Sequence, residues 1–116
     1  MVSTTEVREL LLADRERTTE LVSSLTASIA SMVEATQLSA SDDEHDPEGS
    51  TIAFERSQAS TLLATATEHL SDVGAALARV DAGTYGRCER CGQAIAHERL
   101  LARPTARTCI ACAAAS

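Results

Sequence analysis

Four cysteines stand in two pairs near one end of the chain, Cys88-Glu89-Arg90-Cys91 and Cys109-Ile110-Ala111-Cys112. Each pair is CxxC and 17 residues separate them, the spacing of a four-thiolate zinc site. A two-residue gap lets a tight turn aim both sulfurs at one point, and Gly92 gives the first turn the backbone freedom it uses. The string Ala111 to Ala115 favours helix, so Cys109 is expected at a helix N-terminus, where the dipole favours a thiolate. Arg87, Arg90 and Arg107 flank the cysteines and offset the charge of a zinc–thiolate centre. One structural Zn2+ is therefore expected, held by Cys88, Cys91, Cys109 and Cys112. Four sulfurs leave no coordination position for water, which excludes catalytic zinc, and the ion's work is to fold a module too small to fold alone. Two disulfides, or two redox-active CxxC motifs, are the competing readings. The N-terminus lacks the basic start and apolar stretch of a secretory signal, which argues against disulfides. A redox CxxC belongs to a strand-rich βαβ unit, and the sequence carries none.

The other chemistry-bearing residues are less organised. His45, His69 and His97 lack ligand spacing and read as surface or packing residues. Tyr85 is expected to pack the cysteine module onto the helices before it. Asp42, Asp43, Glu44, Asp46 and Glu48 crowd one short polar stretch, which by itself reads as a solvated loop whose Asp46 caps a helix. All ten basic residues are arginine, so Schiff-base, P-loop and general-base lysine chemistry is excluded.

The elements that must position these groups follow from composition and period. Of 116 residues 44% are hydrophobic, but 21 are Ala and none is Trp, too little bulk for a thick globular core. Residues 1–78 hold 14 acids against four Arg, whereas residues 79–116 hold three acids against six Arg. That shift divides the chain into a helical body over 1–82 and a compact module over 83–116. Ser3-Thr4-Thr5-Glu6 has the form of a capping box and starts a helix. Apolar positions then recur at Val7, Leu11, Leu21 or Val22, Leu25, Ile29, Met32 or Val33, and Ala35 or Thr36, with a polar gap from Asp14 to Thr18. In the second segment Ile52, Ala59, Leu63, Ala66, Leu70, Val73, Leu77 and Val80 keep the alternating three-four step of a coiled-coil seam. Two helices of some 30 to 35 residues, roughly 45 to 50 Å each, would pair antiparallel about a tip near residues 39–50. Asp46-Pro47 suits the second helix start. Gly74 either marks a close approach of the two backbones or is simply tolerated. The fold expected is all-α dominated: a long antiparallel helical hairpin followed by a small four-cysteine zinc-finger module. The longest apolar run is the seven residues from Cys109 to Ala115, against about 20 for a membrane helix, so no membrane partner and a cytoplasmic location are expected.

The run from Ala78 to Gly92, continuing through Ile95, Glu98-Arg99-Leu100, Ala102-Arg103-Pro104-Thr105-Ala106 and Cys109 to Cys112, closely resembles the DksA/TraR zinc-finger family. The preceding hairpin with its acidic stretch resembles the longer DksA-type members. That resemblance implies a non-enzymatic bacterial transcription regulator whose coiled coil enters the secondary channel of RNA polymerase. Such a regulator modulates initiation without contacting DNA. It also implies a polymerase-facing tip at Asp42, Asp43, Glu44, Asp46 and Glu48, and polymerase contacts among Arg79, Arg87, Arg99, Arg103 and Arg107. The family's tip motif is Asp-Pro-x-Asp-x-Ala; here the second acidic position is Gly49. The longer members continue past the last cysteine as a helix whose basic residues serve polymerase contact and the ppGpp response. This chain stops four residues after Cys112, so the resemblance carries no ppGpp assignment. A zinc ribbon binding nucleic acid, or an adaptor that senses oxidation by losing zinc, are the alternatives. Overall acidity and the near absence of aromatic residues argue against direct DNA binding.

Overall fold

The computed structural model describes residues 3–39 and 47–115, with side chains described for 3–38 and 51–115. Four helices follow one another: α1 (Thr4–Ser39), α2 (Pro47–Ala82), α3 (His97–Ala102) and α4 (Ile110–Ala115). The first two have 36 residues each, so the hairpin arms match the sequence expectation in type and slightly exceed it in length. No strand occurs among the described residues beyond an isolated antiparallel bridge between Arg87 and Ala94.

Both long helices begin where local chemistry says they should. The Ser3 hydroxyl accepts the Glu6 amide at 3.5 Å, and the Ser3 carbonyl accepts the Val7 amide at 3.0 Å, as a helix N-terminus requires. Pro47 occupies the first position of α2, where a missing N–H removes nothing a helix could use. The end of α2 is a Schellman motif: the Thr84 amide donates to the Arg79 carbonyl at 2.9 Å and the Gly83 amide to the Val80 carbonyl at 3.2 Å. Gly83 takes φ +78°, a conformation costly to any residue with a Cβ. Threonines inside the helices return their hydroxyls to the preceding turn, Thr26 to Val22, Thr36 to Met32 and Thr61 to Ser57, so their polarity does not break the helix.

Two compact units result, one of Met1–Glu16 with Leu70–Ser116 and one of Arg17–His69. In the first, Val7 and Leu11 of α1 are buried against Val73, Ala76, Leu77 and Val80 of α2, with Leu11, Val73 and Ala76 wholly inaccessible. The start of α1 thus meets the end of α2, which makes the pairing antiparallel. Arg8 and Asp81 join across the same pair at 2.7 Å, an exposed ion pair worth little in stability. In the second unit Thr18, Ala59 and Ala66 are buried, and Val22, Leu25, Ile29, Met32, Val33, Ile52 and Leu63 are half-buried. All eight positions of the α2 seam are buried or half-buried.

Two sequence expectations are corrected. The polar gap in α1 is not a gap: Asp14 is half-buried and Thr18 buried, continuing the three-four step from Leu11 to Val22 with polar side chains. The stripe ends before Ala35 and Thr36, both exposed. Of the two readings of Gly74, simple tolerance holds, because it is exposed and a Cβ there would meet nothing within 4 Å. The short α3, which the sequence reading did not anticipate, lies between the cysteine pairs.

Candidate metal centre

Each cysteine pair is presented by a small turn with its own backbone logic. In the first, the Cys88 amide donates to Gln93 at 2.8 Å and the Gly92 amide donates back to Cys88 at 2.9 Å. The Ile95 amide closes the ribbon on Gly86 at 2.7 Å. Gly92 takes φ +74° at the turn and Gly86 takes φ +87° at its foot, conformations that favour glycine at both positions. In the second, the Cys109 carbonyl accepts the Ala113 amide at 2.9 Å and α4 begins at the next residue, so Cys109 stands at a helix N-terminus as expected.

The four sulfurs lie within 4.8 Å of one another, and those of Cys91 and Cys109 are 3.8 Å apart. Zinc–sulfur bonds of about 2.3 Å in a tetrahedron put sulfurs about 3.8 Å apart, so the cluster fits one tetrahedral ion. All four are free thiols. Cys88 is buried, Cys109 and Cys112 are half-buried, and Cys91 is exposed. Backbone hydrogen bonds from Cys109 and Cys91 hold the Cys88 thiol down, to about 6. Sulfur–sulfur hydrogen bonding, from Cys109 first, pushes Cys112 up to about 12. The Cys88 sulfur is thus ready as a thiolate, while Cys112 keeps a proton that a bound cation would displace.

A second core supports the sulfurs. Cys88, Ile95 and Leu100 are buried together, with Ala106, Cys109 and Cys112 packed on them. Tyr85 packs against both this cluster and the helix-base cluster, as the sequence suggested. Its hydroxyl donates to the Pro104 carbonyl at 2.8 Å, and burial raises its pKa. The segment from Pro104 into Cys109 is held largely through its carbonyls. Arg79 Nη2 donates to Thr105 at 3.4 Å, the Glu89 amide to Arg107 at 2.9 Å, and Arg99 Nε to Thr108 at 2.9 Å. Arg107 adds ion pairs to Asp72 at 3.6 Å and Glu89 at 3.5 Å. Arg90 Nη1 donates to the Cys112 carbonyl at 3.4 Å.

The candidate arginines therefore divide. Arg79, Arg99 and Arg107 are engaged by groups of the protein itself, and burial followed by the charge of Arg107 lowers the pKa of Arg79. The side chains of Arg87 and Arg103 are exposed. Arg99, Arg103 and Arg107 share with Asp72 the wall of a cavity of about 310 Å³. His97 is exposed at the start of α3 and His69 is half-buried in α2. Asp42, Asp43, Glu44, His45 and Asp46 lie outside the described residues, as does the side chain of Glu48.

Residues 83–116 match the family model of the prokaryotic dksA/traR C4-type zinc finger. The C-terminal module is a DksA/TraR zinc finger. It holds one structural zinc ion, in keeping with its clustered thiols. The whole fold is similar to that of transcription factor DksA2 from Pseudomonas aeruginosa, with a TM-score of 0.78 and 24% identity, covering 97% of this chain and 81% of that one. Among sequence relatives, general stress protein 16O of Bacillus subtilis (strain 168) is 39% identical over 74 residues, 64% of this chain and 45% of its own length. The uncharacterized protein YteA of the same organism is 42% identical over 66 residues, 57% of this chain and 28% of its own. The chain thus spans less than half the length of the curated relatives it matches. A DksA/TraR finger on a DksA-like helical fold is what the comparisons establish. No described helix is long and apolar enough to cross a membrane.

Proposed function

We propose that this protein is a non-catalytic cytoplasmic regulator of bacterial transcription that binds RNA polymerase. Its hairpin would enter the secondary channel and alter initiation without contacting DNA. The observation that carries this reading is the joint occurrence of a DksA/TraR finger and the fold of a DksA2 transcription factor in one short chain. Zinc, bound by Cys88, Cys91, Cys109 and Cys112, keeps the finger folded; it supplies rigidity, not chemistry. The exposed Arg87 and Arg103 are the arginines best placed to meet a polymerase surface, because Arg79, Arg99 and Arg107 already serve the module. The tip acids Asp42, Asp43, Glu44, Asp46 and Glu48 act by charge and bulk in the channel, with Asp46 as the principal residue and Gly49 in the place of the family's second tip Asp.

Retention of purified RNA polymerase on the tagged, zinc-loaded protein tests the reading, with Cys88→Ala as the unfolded-finger control. Polymerase is expected on the parent and absent from the control. Retention of DNA without polymerase would replace this function with nucleic-acid binding. In a purified transcription assay Asp46→Asn is expected to leave zinc content and helicity unchanged while reducing the effect on initiation. An unchanged effect removes Asp46 from the site.

A further inference from the structure

The zinc cluster and the base of the helical hairpin are separate cores, yet they belong to one compact unit and share a connection. That connection is the segment running from Pro104 into Cys109. Its carbonyls at Pro104 and Thr105 are bonded by Tyr85, which follows the α2 cap, and by Arg79, in its last turn. The Arg79 carbonyl in turn accepts the amides of Thr84 at 2.9 Å and Tyr85 at 3.2 Å, so one residue closes α2 and reaches the segment. On its other side the segment holds the first cysteine turn, through the Glu89 amide on the Arg107 carbonyl and the Arg107–Glu89 ion pair. Arg107 also returns to α2 at Asp72. The second pair of sulfurs is therefore aimed by a stretch of backbone whose position is read from the end of α2.

We propose that Tyr85 and Arg79 are positioning residues for the metal centre, and that zinc occupancy and the integrity of the hairpin base are thermodynamically coupled through the Pro104–Thr108 backbone. Neither residue is among the four clustered cysteines that would hold the ion. Each fixes a carbonyl in the segment that delivers Cys109, so the unligated cluster is preorganised only while the end of α2 is in place. Linkage makes the effect reciprocal: what the helix base contributes to zinc binding, zinc returns to the helix base. The proposal uses the zinc finger alone and does not depend on what partner the protein binds.

The test uses the full reduced chain, zinc-loaded or stripped with a chelator. Amide hydrogen exchange is followed at Val73, Leu77 and Val80, and at Leu25 and Leu63 for comparison. Zinc is expected to slow exchange at the first three by about tenfold or more, with a smaller change at the other two. Equal exchange at Val73 to Val80 with and without zinc would overturn the proposal. Zinc affinity is then measured by competition with a chromophoric chelator for the parent, Tyr85→Phe and Leu63→Ala. Removing the hydroxyl alone is expected to weaken zinc about fivefold, the equilibrium equivalent of one net hydrogen bond. Leu63→Ala is expected to lower the melting temperature with affinity unchanged. Parent affinity in Tyr85→Phe, or an equal loss in both variants, would reduce Tyr85 to an ordinary packing residue.

Discussion

At the scale of single residues, the protonation of the sulfurs sets a pH dependence whose sign is fixed. Zinc must displace every proton the cluster carries, so affinity rises with pH wherever the free site holds more protons than the loaded one. Cys112, at about 12, keeps its proton through neutrality, whereas Cys88, at about 6, has already lost most of its own at pH 7. Zinc affinity is therefore expected to fall as pH drops from neutrality and to fall more steeply below about 6, where Cys88 is reprotonated. In the metal-free fold the depressed Cys88 acts in the same direction, its stabilisation present at high pH and lost as pH falls through about 6. Chelator competition across that range measures the slope, and a pH-independent affinity would contradict the assignment. The cysteines were legible because thiolate chemistry is written in residue type and spacing. The arginines were not. Which guanidinium is engaged depends on carbonyl groups brought close by the chain's path, and carbonyls have no letter in a sequence.

At the scale of elements, the hairpin is a two-helix seam with no other bulk to spare, so its few large buried side chains carry disproportionate weight. Leu11 has no exposed surface and shares one buried cluster with Val73, Ala76, Leu77 and Val80 of α2. Leu11→Ala is expected to destabilise by about 3 kcal/mol, read from a denaturant melt. Gly74 has the opposite prospect. It lies in α2, is exposed and has room for a methyl group, so Gly74→Ala is expected to stabilise by about 0.5 to 1 kcal/mol. A loss of stability there would mean that the glycine serves a contact. The seam of α2 was readable in full because its eight positions are apolar and periodic. In α1 period and polarity disagreed at Asp14 and Thr18, and the backbone followed the period, since a helix face is set by geometry before side-chain chemistry. Six-residue α3 holds too few turns to display a period, though Pro104 soon after it marks where it must stop.

At the scale of the whole molecule, charge decides which partners are attracted. The chain carries −7 at neutral pH. Residues 83–116 hold five Arg against two acids, and the thiolates of a zinc centre take most of that excess away. The protein is expected to flow through an immobilised heparin or duplex-DNA column at physiological salt, where a phosphate-binding finger would be retained. Retention that weakens steeply with added salt would favour the nucleic-acid reading. The position of Tyr85 has one more consequence. It is the single tyrosine in a chain without tryptophan, and its ring sits where two cores meet. Tyrosine emission from this protein therefore originates at one known place, and any loosening of that junction becomes visible to a fluorimeter without a dye or tag.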